Sequence, residues 1–146
     1  MSPIVLMLVL QASAITADDL CYSKALTQLT LNECAAVSLE AADSKLAEFV
    51  RTYEARLEPE QLALFRSSQL NWQQFRQAAC KFEASGVSGG SAYPMVFAQC
   101  LASKSGSRLS ELMLLAKCRD GDYACPGHSG VAPNNSFKPN PLRGSA

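Results

Sequence analysis

The chain has 146 residues, thirteen Lys and Arg set against thirteen Asp and Glu, and one histidine. That balance supplies no basic surface for nucleic acid or an anionic membrane. A lone histidine, His128, cannot assemble a His-based triad or metal cage, so the inventory argues against an enzyme, a cofactor or a metal site.

Residues 1–14 carry no charged side chain, and Ile4 to Leu10 form an unbroken apolar run ahead of Ala12-Ser13-Ala14. This is the pattern of a secretory signal peptide over 1–14, with cleavage after Ala17 as the second option. The run is too short to span a bilayer, which takes roughly 20 residues. No Lys or Arg precedes it, a departure from the usual leader. Asp18-Asp19-Leu20 lack the small residues that a lipidation site at Cys21 requires. The expectation is a mature protein in the periplasm or outside the cell, with no membrane insertion once the leader is removed.

The next stretch, 15–118, reads as one helical domain. A short helix is expected around 19–29. Thr30-Leu31-Asn32-Glu33 matches a capping box, with Thr30 at the N-cap and Glu33 reaching back. Leu39, Ala42, Leu46, Phe49, Tyr53 and Leu57 then keep helical spacing to about Glu58. Pro59 suits the first turn of the next helix, and Leu62, Phe65, Trp72, Phe75, Ala79 and Phe82 form its packing stripe to about Ala84. Gly86, Gly89 and Gly90 predict a flexible loop. A last helix from about Pro94 to Lys117 offers Phe97, Cys100, Leu101, Leu109, Leu112 and Leu115 for packing. No stretch alternates with period two for long enough to be a strand. The expected fold is all-α, a small antiparallel bundle of three long helices and a short N-terminal one, stapled by disulfides.

From Asp120 onward the apolar periodicity stops, and four of the seven prolines fall there. Residues 119–146 are expected to be a disordered tail rich in Pro, Gly and Asn.

Six cysteines fit an oxidising compartment and permit fifteen pairings. The absence of C-x2-C argues against a zinc ribbon or a thioredoxin-like pair. Short connections make sequential helices antiparallel, which brings Cys34, Cys80 and Cys100 near one end. This favours Cys21–Cys34 and Cys80–Cys100, while Cys118–Cys125 would close a short loop at the edge of the domain.

Chemically the densest segment is Gln69-x2-Trp72-x3-Arg76-x3-Cys80. Steps of three, four and four place an amide, the only tryptophan, a guanidinium and a sulfur on one helical face. An Arg on such a face wants a carboxylate for a bidentate pair, and Asp43 on the neighbouring helix is the candidate. Gln69 is offered to the Trp72 N–H or to a loop backbone, and Arg108 to Asp43 or to carbonyls near the last helix. For Asp43, Gln69, Trp72, Arg76 and Arg108 a scaffold role outweighs direct partner contact. Gly86-Val87-Ser88-Gly89-Gly90 matches G-x-S-x-G literally, but that motif needs a preceding strand and a base. Here it falls between helices.

In this order the residues resemble the LprI-like lysozyme inhibitors of bacteria. The resemblance rests on Cys21, Cys34, Ala42-Asp43-x2-Leu46, Gln69-x2-Trp72-x3-Arg76-x3-Cys80, Gly89-Gly90-Ser91, Cys100 and Arg108-x3-Leu112. It covers about residues 19–115. Ala47 stands where the family usually has Asn, and Val50 where an aromatic is common. Cys118, Cys125 and the tail lie outside the pattern.

The resemblance implies a secreted protein that blocks a lysozyme by contact alone. The alternative is an envelope interaction module of the same fold with a different partner. Lysozyme works with two carboxylates flanking the scissile bond, so a plug should present a cation or hydrogen-bond donors. The candidate contact residues are Ser88, Gly89, Gly90, Ser91 and Tyr93, with Lys81 as a basic contributor at the same end. Residues 31–60 hold seven acids against three bases, a net −4, and residues 61–146 are net +5. An acidic helix face would steer a basic partner such as a lysozyme.

Overall fold

The computed structural model describes residues 17–118 together with Cys125 and Pro126. The expected leader and the rest of the expected tail lie outside the described residues. Helices α1 (Ala17–Lys24), α2 (Gln28–Glu54), α3 (Pro59–Glu83) and α4 (Tyr93–Ala116) follow in order, with a 3-10 turn over Ser85–Val87 before α4. No strand occurs among the described residues, and the fold is an all-α, disulfide-stapled bundle.

The start of the bundle departs from the expected boundaries. One helix over 19–29 and an N-cap at Thr30 are replaced by a break after Lys24 and an N-cap at Thr27. The Thr27 backbone is extended, at φ −132° and ψ 159°. Its Oγ1 accepts from the Thr30 N–H at 3.2 Å, and Thr30 Oγ1 accepts from the Thr27 N–H at 3.1 Å. Thr30 thus fills the role usually taken by Glu or Gln in a capping box, and Glu33 is left exposed. α1 is tethered by the Cys21–Cys34 disulfide and by Gln99 Nε2 donating to Tyr22 Oη at 3.1 Å.

α3 begins with Pro59 in its first turn, and Gln61 Oε1 accepts from the N–H of the N-cap residue Glu58 at 3.3 Å. The proline lacks an N–H where a helix start would leave one unpaired anyway. At the other end the Cys80–Cys100 bridge, with its Cα atoms 5.6 Å apart, ties α3 to α4. Cys118 and Cys125 form the third bridge, Cα to Cα 5.5 Å.

The core lies between α2 and α4. Cys34, Ala35, Leu46 and Tyr53 are buried on α2, and Ala98, Leu101, Ser105 and Leu112 on α4. Small residues along this contact let the two axes approach closely. They run in the same direction: Asn32 Nδ2 donates to Ser91 O at 3.0 Å at one end, and Ser105 Oγ to Asp43 Oδ1 at 2.6 Å further along. α3 leans chiefly on α4 and splays from α2. A groove of about 650 Å³ opens between α2 and α3.

This splay corrects the packing stripe read from α3. Phe75 and Phe82 are 62% and 80% exposed, and Leu115 on α4 is 37% exposed. With one close neighbour, α3 has only a narrow covered arc, and only Gln69 and Cys80 are buried on it.

Candidate functional site

Three helices meet in a polar seam built on the Gln69–Cys80 face. Arg76 Nη1 donates to Asp43 Oδ1 at 2.6 Å and Nη2 to Oδ2 at 3.2 Å, a bidentate pair from α3 to α2. Ser105 of α4 completes it, accepting from Arg76 Nη1 and donating to Asp43 Oδ1. The Arg76 side chain is 11% exposed and that of Asp43 41%. Burial pushes the Asp43 carboxyl upward, but hydrogen bonds from Arg76 and Ser105 and the Arg76 charge outweigh it and hold the group below its usual value.

Gln69 and Arg108 take partners other than those expected. Gln69 Oε1 accepts from Arg108 Nε at 2.9 Å and Nη2 at 2.7 Å, and not from Trp72. Arg108 also reaches Glu111, one turn on, at 3.1 Å, while Asp43 is held by Arg76 and Ser105. The Arg76 and Arg108 guanidinium carbons lie 5.3 and 5.8 Å from the Trp72 ring centroid, so two cations rest on one indole. Asp43, Arg76 and Ser105, and likewise Gln69, Trp72 and Arg108, make contacts from one helix to another. Ser105 was missed from sequence. Its signal was a lone small polar residue within the apolar stripe Ala98, Leu101, Leu112.

The glycine segment lies at the end clamped by Cys21–Cys34 and Cys80–Cys100. It is a set of closed turns where the sequence suggested flexible chain. Ser88 N donates to Ser85 O at 3.1 Å, Gly90 N to Val87 O at 3.0 Å and Tyr93 N to Gly90 O at 3.2 Å. Gly89 sits at φ +76°, a left-handed conformation that favours glycine. Asn32 holds the far side of the loop through Ser91 O. Ser88, Gly89, Gly90 and Ser91 are exposed, while Tyr93 is half-buried and stacks on Phe97 with ring centroids 5.6 Å apart. Lys81 is exposed on α3, in the last turns before the loop.

Ion pairing absorbs part of the acidic segment. Asp43 is bound to Arg76, and Glu54 is clamped across the groove by Arg66, with contacts of 3.1 and 3.2 Å. Glu33, Glu40 and Glu48 are exposed on α2, and none of them forms an ion pair among the described residues. Steps of seven and eight set these three along one side of the helix. Among the described residues no cluster of His, Cys, Asp and Glu could hold a metal, and no helix is long and apolar enough to cross a membrane.

Comparison with curated proteins and with solved structures gives no match. Comparison with models of protein families matches residues 21–112 to "Lysozyme inhibitor LprI". The matched stretch runs from the first disulfide cysteine to the buried Leu112 and contains the seam and the glycine loop. The chain belongs to the LprI lysozyme inhibitor family.

Proposed function

We propose that this chain is secreted and inhibits a lysozyme by protein–protein contact, with the glycine loop entering the enzyme's cleft. The observation that carries this reading is an exposed, hydrogen-bonded loop fixed between two disulfides. A loop already held in one shape loses little entropy on binding. Ser88 and Ser91 offer hydroxyls, Gly89 and Gly90 allow close backbone approach, and Tyr93 offers a phenol above Phe97. Lys81 adds a cation beside them, suited to the two carboxylates of a lysozyme cleft. The three disulfides suit an oxidising compartment. The acidic side of α2 supports a basic partner.

The experiment is cell-wall lysis by c-, g- and i-type lysozymes, with the oxidised protein titrated in and a reduced, alkylated control. Dose-dependent inhibition that is lost on reduction is expected. Tyr93→Ala and Lys81→Ala should each weaken it, whereas inhibition untouched by both would remove the loop as the plug. No inhibition by the folded, oxidised protein would transfer the site to a different envelope partner.

A further inference from the structure

α3 carries a second stripe that its own chain leaves open. Leu64, Asn71, Phe75, Ala78 and Phe82 recur at the spacing of a helix–helix seam. Leu64, Phe75 and Phe82 are 67%, 62% and 80% exposed, and Asn71 and Ala78 are exposed as well. Leu64 and Phe82 stand about 27 Å apart along the helix. The two ends of the stripe differ. At the Leu64 end opens an apolar cavity of about 340 Å³, with Tyr53, Leu57, Leu64, Phe65, Leu112 and Leu115 in its walls. At the other end is Phe82, the most exposed aromatic on the stripe. Charge follows the same polarity, with Glu60 near the cavity and Lys81 beside Phe82. Both are exposed, and neither forms an ion pair among the described residues.

We propose that this face pairs with the same face of a second copy, antiparallel, about a twofold axis near the middle of α3. Reversing one copy sets Phe82 of each against the cavity of the other and Lys81 of each against Glu60 of the other. A twofold contact requires this self-complementarity, in which residue i meets j and j meets i. Parallel pairing fails the same comparison, because it sets Phe82 level with Phe82 and leaves both cavities open. Asn71 falls near the axis, where a polar residue in an apolar seam selects one register. In the dimer Lys81 faces Glu60, so Lys81→Ala is expected to lower the mass together with inhibition. A loss of inhibition with the mass of two chains unchanged would keep Lys81 in the plug and overturn its pairing with Glu60.

Sedimentation velocity of the oxidised full chain over a range of concentrations tests the pairing. The expected mass is that of two chains, falling to one for Phe82→Ser with the helical circular dichroism unchanged. Glu60→Lys and Lys81→Glu should each weaken association about tenfold, and the double reversal should restore it. A single-chain mass at every soluble concentration overturns the proposal, as does a dimer indifferent to Phe82→Ser. A monomer in which Phe82→Ser abolishes lysozyme inhibition assigns the face to the lysozyme and overturns it too. Mass is read without any lysozyme present, so failure of the plug leaves this inference standing.

Discussion

At Asp43 three donors converge on one carboxylate, two from Arg76 and one from Ser105. Breaking a fully buried pair costs about 3–5 kcal/mol. Because 41% of the Asp43 side chain is exposed, Asp43→Asn should cost less, about 2 kcal/mol by urea unfolding. The folded-state pKa of Asp43 lies below its unfolded value. Its contribution is therefore fully present above about pH 4 and is lost as pH falls through the lowered value. The stability difference between wild type and Asp43→Asn should stay flat from pH 7 to about pH 4 and shrink below that. A difference that stayed constant to lower pH would mean that the carboxylate charge contributes nothing. Tyr53 predicts the opposite sign. Its side chain is 2% exposed, and its hydroxyl is buried without a hydrogen-bond partner among the described residues. Tyr53→Phe removes a desolvated group and keeps the ring that meets Phe65 edge-on at 5.2 Å. It should leave the unfolding midpoint unchanged or raise stability by up to about 1 kcal/mol, and a clear loss would reveal a partner beyond the described residues.

Elements in this chain are set by their ends and tied by their bridges. Thr27→Ala removes the cap of α2 and should cost about 1 kcal/mol, and the same change at Glu33, exposed and outside the box, should cost far less. The Cys80–Cys100 bridge closes a separation of 20 residues, so replacing both cysteines by serine should cost about 3 kcal/mol. That variant should also loosen the glycine loop, read as faster amide exchange at Gly90 and Tyr93. Much of this was legible in the sequence, because helical period, Pro59 and the glycine run are local signals that act before packing. The Asp43–Arg76 pair was legible because an arginine beside a tryptophan on a packed face demands a carboxylate. The partner of Gln69 was not, since it depends on how α4 is rotated to bring Arg108 over the indole. Ser105 was hidden by its type, as a serine in a helix ordinarily reads as solvent-facing. Phe75 and Phe82 were misplaced for a third reason. The apolar stripe of α3 is wider than the arc that α4 covers, and only the splay from α2 decides which residues are left outside.

Across the whole molecule a net charge of zero conceals an uneven distribution along the chain: residues 31–60 are net −4 and residues 61–146 net +5. Pairing of Asp43 with Arg76 and Glu54 with Arg66 draws two of the acids into ion pairs. The acids left on α2 with no ion pair among the described residues are Glu33, Glu40 and Glu48, and exposed Lys45 and Arg51 on the same helix offset part of their field. Such exposed charges add little to the stability of a docked complex but steer encounter, and salt screens them within about 10 Å at 0.1 M. Replacing all three by glutamine should therefore slow association with a basic lysozyme about tenfold at low salt. The dissociation rate should hardly change, and the fall of the association rate with added salt should flatten. Stopped-flow or surface-based kinetics at two ionic strengths separates these effects. If the triple variant associates at the wild-type rate with the same salt slope, the partner does not approach along α2. The loop end would then have to provide both the encounter and the contact.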